Sequence, residues 1–416
     1  MSDEQRGVVA FYGDDFTGSV DALLQFARRG WSGRLFTTLP DAEALRRAAS
    51  EVDVVGVAGI SRSLDPAAMD AELRPVLEAF ADLDPRLVQY KACSTADSSP
   101  SVGSLGRVIE IGREVFGDRV VPMLFAQPDF GRYTLFGQHF AAERGTVYRL
   151  DRQPTMSQHP STPMTEAELA VHIGRQTDAP IGAVSMLAYD DLARRLREAT
   201  STGIVLDALT DDHLEAVGRA LGELPSPVFA IGSGGLSHGI AAAAPGDAPT
   251  IPEATATRGP VLVVSGSRSA QTRRQADAAA AAGWLVRPWA LDGSSSPDVL
   301  EALRAGRGVV LTSDDADAPG DRPILEAIAD AAASLVREAV AAGATRRVIV
   351  CGGDTSSRVT RLLGVDALSI AANPWGNVVI LRAHSGGSRI DGLELLLKGG
   401  QVGADSLFVD VAALAP

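Results

Sequence analysis

Short runs of β-branched residues alternate along this chain with longer segments, rich in Ala and Leu, that have a helical period. A strand joins a parallel neighbour only through a crossover, which a helix supplies, so this alternation predicts mostly parallel sheets. The predicted fold class is α/β, with two αβ domains. The strands predicted in the first half are Val8–Tyr12, Gly33–Thr37, Val52–Ala58, Leu87–Ala92, Val121–Ala126, Gly203–Asp207 and Val228–Ile231. The helices predicted there are Val20–Arg29, Asp41–Ser50, Pro66–Ala81, Ser104–Phe116, Glu166–Gln176, Tyr189–Ala199 and Asp211–Leu221.

A stretch without apolar periodicity, APGDAPTIPEATATRGP, separates two such αβ regions. A chain of 416 residues exceeds the usual size of a single hydrophobic core, so two domains are expected. The sequence predicts a first domain over residues 1–245, a linker over 246–259 and a second domain over 260–416. In the second domain VLVVSG, GVVLTS and RVIVCGG are predicted strands, and AQTRRQADAAAAAGW and Pro323–Ala342 are predicted helices.

One segment of the first domain does not follow the alternation. Asp151–Thr165 contains three prolines and has no periodicity, which predicts an irregular loop. Long loops in compact domains are often binding elements, and a surface excursion is the alternative.

Charge and cysteine content exclude several functional classes. The formal net charge of −14 disfavours a general role on nucleic acid or on anionic membranes. Two cysteines, Cys93 and Cys351, are too few for a disulfide framework or a zinc cluster. The N-terminal residues lack a basic region followed by an apolar one, and no stretch predicts a membrane span. We therefore expect a cytoplasmic protein whose ligands are small molecules.

Turns rich in Gly and Ser follow several predicted strands. Two of them, SGSRS at 265–269 and CGGDTSS at 351–357, lie in the second domain and could together hold a polyphosphate through backbone N–H groups. The chain has no G-x-x-x-x-G-K-[ST] motif, which excludes an ordinary P-loop. In GSGGLS, Ser237 stands where the dinucleotide fingerprint has a third glycine, so a nicotinamide-dependent oxidoreductase is disfavoured.

Two adjacent carboxylates, Asp14 and Asp15, follow the first predicted strand, where like charges repel and burial removes hydration. One of them could cap the next helix, as could Thr17, which leaves the other carboxylate unexplained. Arg62 and Lys91 are cations at the ends of other predicted strands. They could bind a small carboxylate substrate while an aspartate accepts a proton from its hydroxyl group. The alternative for Arg62 is a solvated surface position.

Lysine is rare in this chain. Of the 38 basic residues only two, Lys91 and Lys398, are lysines. A compact ammonium group suits a site that a wide guanidinium does not fit, so both lysines are candidate site residues. Codon bias that replaced surface lysine with arginine is the alternative.

Six stretches, taken in order along the chain, resemble the four-carbon acid sugar kinases, formerly a domain family of unknown function. YGDDFTGSVDAL resembles their opening ADDLTGA-D signature, and GISRSL is similar to the SRS turn that follows it. QYKACSTADSSPSVGSLGRVIEIG looks like the segment in which many members carry K-x-DSTLRG. VSGSRSAQTRRQ resembles the start of their nucleotide-binding half, and CGGDTSSRV and DGLELLLKGGQVG are similar to GGETS and to the closing LKSGNFG. The resemblance covers nearly the whole chain.

The resemblance implies two αβ domains with a cleft between them. It implies that the protein uses ATP and Mg²⁺ to phosphorylate the terminal hydroxyl of a four-carbon sugar acid such as threonate, erythronate or the 3-oxo analogue. In the N-terminal domain it assigns Asp14 and Asp15 to catalysis, and Arg62, Lys91 and Ser94 to the substrate. In the C-terminal domain it assigns to ATP the residues Ser265, Gly266, Ser267, Ser269, Gly352, Gly353, Asp354, Thr355, Ser356, Lys398, Gly399 and Gly400. Asp354 would lie near Mg²⁺ or the ribose. A homodimer is compatible with the resemblance.

The chain departs from the family pattern mainly in its first half. CSTADSSPSVGS lacks the arginine and glycine of STLRG, whereas Asp354 for glutamate and GGQVG for SGNFG are conservative changes. Kinase chemistry is therefore the firmer prediction, and the identity of the acid is open. The same departures motivate an alternative, a catalytically inactive protein of this fold that senses a nucleotide or a sugar acid. Both carboxylates and both lysines are present, which favours the enzyme.

Overall fold

The structure, a computed structural model, describes residues 7–291, 296–313 and 323–414 of the chain. The protein is α/β, as predicted, and divides into two compact units, Met1–Thr250 and Ile251–Pro416. No helix in the described ranges combines the length and the apolar character that a membrane crossing requires.

The first unit is built on a parallel sheet. Its strands are β1 Val9–Gly13, β2 Gly33–Phe36, β3 Val54–Ala58, β4 Leu87–Lys91, β5 Val121–Leu124, β6 Arg132–Leu135, β7 Gln138–Glu143, β8 Thr146–Arg149, β9 Ile181–Val184, β10 Gly203–Leu206 and β11 Val228–Gly232. Eight of them lie side by side in the order β2-β3-β1-β4-β11-β5-β10-β9, and every neighbouring pair is parallel. The strands β6, β7 and β8 form a separate antiparallel sheet.

Helices join these strands, as the alternation predicted. They are α1 Phe16–Ala27, α2 Ala42–Glu51, α3 Pro66–Ala81, α4 Leu105–Phe116, α5 Leu169–Gly174, α6 Leu192–Arg197, α7 Asp211–Gly222 and α8 Gly234–Ala243. The central strand β1 is fully buried, and its Phe11 stacks on Phe26 of α1 with ring centroids 6.2 Å apart. Apolar packing of this kind between strand and helix is what stabilises an αβ layer.

The second unit has a mixed sheet. Its strands are β12 Val261–Ser265, β13 Leu285–Pro288, β14 Val309–Thr312, β15 Arg347–Cys351, β16 Ala367–Trp375, β17 Val378–His384 and β18 Glu394–Lys398. Its helices are α9 Ala270–Ala281, α10 Ser296–Arg304, α11 Ile324–Ala341, α12 Gly353–Leu362 and α13 Leu407–Ala413. The strands follow the order β13-β14-β12-β15-β18-β17-β16, in which β17 is antiparallel to both neighbours and the others pair in parallel.

Residues 244–260 contain no helix or strand, but they are not a free tether. The earlier part bonds to the first unit through the N–H of Gly246, which donates to the Arg29 carbonyl over 2.8 Å. In the later part, Thr255 is buried and accepts a hydrogen bond from Arg347. Arg347 also forms an ion pair with buried Glu394 at 2.9 Å. This stretch therefore supplies a hydrogen-bond acceptor to a buried ion pair of the second unit.

Several predicted elements need correction. The predicted helix Glu166–Gln176 covers only α5, and Tyr189–Ala199 is a 3-10 turn at Met186–Asp191 followed by the short α6. Helix α1 begins four residues before the predicted start, because Asp15 caps it. The prediction omitted the strands β6–β9, β13 and β16–β18 and the helices α8, α10, α12 and α13.

The irregular loop at Asp151–Thr165 is confirmed, apart from a 3-10 turn at its start. It is not a surface excursion, because Met156 and Met164 are buried with Ala141 of β7 in a small apolar cluster. The loop therefore packs against β7 of the antiparallel sheet.

Candidate functional site

The carboxyl ends of four strands are level at one edge of the first sheet. Gly13, the last residue of β1, is the register partner of Ala58 in β3 and of Lys91 in β4, and Lys91 is the partner of Gly232 in β11. The loops that leave these strands therefore start side by side, which is where ligands bind in open α/β sheets. This alignment brings together Asp14, Asp15, Arg62 and Lys91, although they are far apart in sequence.

Asp15 is fixed by the start of α1. It is the N-cap residue, and its Oδ1 accepts a hydrogen bond of 2.7 Å from the N–H of Gly18. The sequence left three candidates for this cap, and the structure selects Asp15 over Thr17, which is exposed. The cap orients the carboxylate, and about a third of the side chain stays exposed.

One guanidinium holds both carboxylates. Arg62 binds Asp14 through Nε and Nη2, at 3.0 and 2.6 Å, and binds Asp15 through Nη1 and Nη2, both at 3.0 Å. Four of its five N–H donors are thus committed to the protein itself. Arg62 is therefore not a solvated surface residue. Its main contacts are the two aspartates, with a single N–H left for any ligand.

The two aspartates differ in environment. Asp14 is 3% exposed, and burial raises its pKa against the opposing effect of Arg62. Asp15 keeps an oxygen, Oδ2, that accepts only the Arg62 Nη1 hydrogen bond among the described contacts. Because a proton acceptor must be reachable by its substrate, Asp15 rather than Asp14 has the accessible position.

Lys91 is buried at the same edge, with 3% of its surface exposed. Its Nζ donates a hydrogen bond of 2.9 Å to the carbonyl of Ala92, and Asp21 Oδ2 lies 3.9 Å away. An ammonium group has three N–H donors, and in the described part of the chain only one of them makes a hydrogen bond. A buried charge with unused donors is costly, which marks Lys91 as a candidate ligand-binding group.

Gly18 leaves space between these charged groups. A Cβ at this position would lie 2.5 Å from Asp15 Oδ1, 3.0 Å from Lys91 Nζ and 3.6 Å from Arg62 Nη2. Any side chain here would therefore push apart the carboxylate and the ammonium. Glycine is required at position 18 by this close approach rather than by its backbone angles.

Ser94, the fifth predicted site residue of the first unit, lies in the segment between β4 and α4. Its carbonyl accepts a hydrogen bond of 2.8 Å from Nε2 of His139, a fully buried residue of β7. Burial lowers the pKa of His139 to about 4, so the ring is neutral near pH 7. Nδ1 of the ring is 2.9 Å from the Thr134 hydroxyl, which can donate to it.

Sequence reasoning missed a polar group beside Lys91. Asp21 of α1 accepts hydrogen bonds from Gln127 Nε2, at 3.2 and 3.3 Å, and from Gln25 Nε2 at 3.2 Å. Asp129 also accepts from Gln25, at 3.3 Å, and burial followed by the charge of Asp21 raises its pKa. Two signals were available for Asp21: it matches the last aspartate of the ADDLTGA-D signature, and it is the only charged residue in α1. The sequence contained no such signal for Gln25, Gln127 or Asp129.

In the second unit three predicted loops meet. Ser265 of β12 is the register partner of Cys351 in β15, and Cys351 is the partner of Lys398 in β18, so their carboxyl ends are level. Side-chain hydrogen bonds then join the loops, since Ser269 Oγ donates to the Gly400 carbonyl over 2.5 Å. The predicted positions Ser265–Ser269, Gly352–Ser356 and Lys398–Gly400 therefore form one continuous surface.

Glycine is required at two points of this surface. A Cβ on Gly266 would lie 2.2 Å from Thr355 Oγ1. Gly352 has a φ of 109°, a conformation that residues with a side chain rarely adopt. Gly352 precedes α12 without a side-chain cap, so the first N–H groups of that helix are directed outward with the positive end of its dipole. Such a helix start suits a phosphate group.

Lys398 is the counterpart of Lys91 in this unit. It is 2% exposed, its Nζ donates to Thr272 Oγ1 at 3.0 Å, and burial lowers its pKa. Asp354, in contrast, is exposed on the first turn of α12. Within the described ranges no three His, Cys, Asp or Glu side chains cluster closely enough to bind a metal ion by themselves.

Comparisons with protein families match both units. Residues 9–240 match the sugar-binding N-terminal domain, and residues 262–408 match the nucleotide-binding C-terminal domain. Among curated proteins, the chain is 38% identical to a 3-oxo-isoapionate kinase of Paraburkholderia graminis, covering 96% of this chain and 93% of that protein. It is 30% identical to a 3-oxo-tetronate kinase of Pseudomonas fluorescens, covering 97% and 96%. It is 28% identical to a D-threonate kinase of Bordetella bronchiseptica, covering 98% and 96%.

Solved structures confirm the fold. A protein from Salmonella typhimurium LT2 superposes with a TM-score of 0.77 at 22% identity, covering 96% of this chain and 97% of that one. A protein from Haemophilus influenzae superposes with a TM-score of 0.76 at 21% identity, covering 97% and 99%. At these identities the similarity establishes the α/β architecture alone.

The buried His139 predicts a pH dependence of stability. Because its pKa is about 4 in the folded protein and 6.5 in an unfolded chain, the folded state binds fewer protons at acid pH, and stability falls as pH decreases from about 6.5 toward 4. Between about pH 7 and about pH 5 this residue should lower the free energy of unfolding by about 2 kcal/mol. In His139→Gln this contribution is absent. Between about pH 7 and about pH 5 the free energy of unfolding, measured by urea denaturation, should therefore fall by about 2 kcal/mol less in the variant than in the wild type. Identical pH profiles for variant and wild type would contradict the assignment.

Proposed function

The chain belongs to the four-carbon acid sugar kinase family, and we propose on this premise that it transfers the γ-phosphoryl group of ATP to the terminal hydroxyl of a small 3-oxo sugar acid. The N-terminal unit would bind the acid, and the C-terminal unit would bind the nucleotide. The observation that carries the proposal is the cluster at the carboxyl edge of β1. There a partly exposed carboxylate, Asp15, lies beside a buried ammonium, Lys91, that has unused donors.

The acid would be held mainly by Lys91. Its two remaining N–H groups can donate hydrogen bonds to a carboxylate. The buried position strengthens this attraction because little water screens it. Arg62 has one N–H left after binding Asp14 and Asp15, so its part is chiefly to orient the aspartates. Ser94 lies in the segment that passes this site. Asp21 supports Lys91 as its nearest carboxylate.

Asp15 would accept the proton of the attacking hydroxyl. In the transfer, the bond between the γ-phosphorus and its bridging oxygen to ADP breaks while a bond to the substrate oxygen forms, and the hydroxyl proton moves to Asp15 Oδ2. Asp14 would hold Arg62 in place from its buried position, and Arg62 in turn orients the Asp15 carboxylate through two hydrogen bonds. Little covalent work is asked of the protein, since positioning and charge neutralisation dominate phosphoryl transfer.

ATP, with Mg²⁺ bound to its phosphates, would occupy the surface formed by residues 265–269, 352–356 and 398–400. The uncapped start of α12 supplies N–H groups for a phosphate, and Lys398 supplies a compact positive charge behind them. Magnesium neutralises charge on the phosphates during transfer. Asp354 is exposed beside the same helix start, where it can reach either the metal or the ribose.

A panel of acids tests the reaction. We expect ADP release from Mg·ATP with 3-oxo-isoapionate or 3-oxo-tetronate, and less with D-threonate, because the relatives named for these acids are 38%, 30% and 28% identical. A coupled ADP-release assay measures this, with unrelated hydroxy acids as the control. If no acid is turned over while ATP still raises the melting temperature, the catalytically inactive sensor becomes the better reading.

Asp15→Asn should remove most turnover. Loss of the proton acceptor is expected to lower kcat by about 10²–10⁴-fold, while ATP affinity measured by calorimetry stays the same. The matched variant is Asp14→Asn, which removes a buried anion beside Arg62 and should also lower thermal stability. Wild-type turnover in Asp15→Asn would show that another group accepts the proton.

The two lysines allow a paired test. Losing a charged hydrogen bond costs about 1.5–3 kcal/mol, so Lys91→Met should raise the KM of the acid by about 10- to 100-fold. Lys398→Met should raise the KM of ATP by a similar factor and leave that of the acid unchanged. The opposite pattern, or equal effects of each variant on both substrates, would contradict the assignment of the acid to the first unit and ATP to the second.

A further inference from the structure

The segment from Ala92 to Ser104 passes the proposed acid site without forming a helix or strand. Thr95, Ala96 and Ser98 are nevertheless buried, and Ala96 has a φ of 52°, in the left-handed region. A buried irregular segment must find partners for its backbone polar groups, and a strained residue persists only where its surroundings hold it. The groups that hold this segment are therefore part of the site.

The segment contacts the Arg62 loop at both ends. At its start, the Cys93 thiol lies within electrostatic range of the Arg62 guanidinium. Near its end, the Gly103 N–H donates to the Leu64 carbonyl over 2.9 Å, and a Cβ on Gly103 would be 2.6 Å from the Arg62 carbonyl oxygen. A displacement of the segment would thus be felt at Arg62, which orients Asp15.

His139 holds the middle of the segment from outside the main sheet. Its Nε2–H donates to the Ser94 carbonyl over 2.8 Å. A carbonyl oxygen only accepts, so this bond fixes the tautomer that carries the proton on Nε2, and the Thr134 hydroxyl, 2.9 Å from Nδ1, can donate to the unprotonated nitrogen. Both residues belong to the antiparallel sheet β6–β8, so the His139 ring connects this added sheet to the segment.

A second histidine holds the segment four residues further on. His172 of α5 is 8% exposed, and its Nε2 lies 2.9 Å from the Ser98 hydroxyl, which also accepts a hydrogen bond of 2.9 Å from Gln176 Nε2. Burial lowers the pKa of His172 to about 4, as it does for His139. Both rings are therefore neutral near pH 7, and add no positive charge to a site whose cations must remain available to the acid.

We propose that His139 is a positioning residue for the acid: by holding the Ser94 carbonyl, it sets the segment against Arg62 and thereby determines acid affinity. The role in acid affinity rests on the proposed function, whereas the hold on the segment does not. His139 is fully buried, so its part in this proposal is to orient the segment and not to bind a substrate. It connects the β6–β8 sheet, absent from the sequence-based prediction, to the segment.

The hold on the segment can be measured without any substrate, because Cys93 lies next to Ser94. Burial raises the pKa of the Cys93 thiol to about 11, so it should react slowly with iodoacetamide. His139→Phe keeps the ring volume and removes the hydrogen bond, whereas His139→Gln keeps an N–H donor. Losing this hydrogen bond should raise Cys93 alkylation by about tenfold in His139→Phe, with His139→Gln near wild type. Cys351, buried in the second unit, is the internal control by mass spectrometry of the full chain.

The kinetic arm uses the same variants. His139→Phe should raise the KM of the acid by about tenfold with the KM of ATP unchanged, and His139→Gln should restore most of the difference. An unchanged Cys93 rate, or a Cys351 rate that rises equally, overturns the proposal. So does a faster Cys93 reaction with an unaltered KM for the acid. If the wild type turns over no acid, the proposed function fails, and the alkylation result alone decides whether His139 holds the segment.

Should His139→Phe fail to fold, Thr134→Val replaces it. This substitution preserves shape and removes the hydroxyl partner of Nδ1, so a buried ring nitrogen is left without a hydrogen bond and the ring is held less firmly. The expected result is a smaller rise in Cys93 alkylation, in the same direction. No change in that rate would overturn the proposal.

Discussion

The pairing of Arg62 with Asp14 and Asp15 is the interaction on which the first unit's site depends. Two adjacent carboxylates at the end of a buried strand are unfavourable unless a cation compensates them, and Asp14 is too buried for water to do so. Arg62 compensates both through four hydrogen bonds. This arrangement explains why two acidic residues are adjacent. Asp14 binds the guanidinium from a buried position, and Asp15 is oriented by it while staying partly exposed.

The two units solve a similar problem with similar means. Each ends a parallel strand in a buried lysine, Lys91 in β4 and Lys398 in β18, and each brings a glycine within contact of the charged or hydroxyl groups around it. A guanidinium is wider and planar, so it would not fit where Gly18 leaves space for a single ammonium. This explains, in physical terms, why a chain that otherwise uses arginine retains lysine at these two positions.

The altered CSTADSS segment is well supported by its neighbours. His139, His172 and Gln176 hold it through hydrogen bonds from two separate elements, which is the organisation of a shaped site.

The sequence by itself determined the parallel αβ core and the residues that bear charge at the strand ends. Periodicity located β1, β4 and β11 to within a residue, since fully buried strands and amphipathic helices leave local patterns. Only the tertiary structure decided that Asp15 caps α1, that Arg62 donates most of its hydrogen bonds to the two aspartates, and that His139 donates to the Ser94 carbonyl. These facts depend on contacts between residues far apart in the chain, such as the 45 positions between His139 and Ser94. The short β6–β8 strands are specified by such contacts too, and not by local period, because tertiary packing outweighs the weak preferences of short segments.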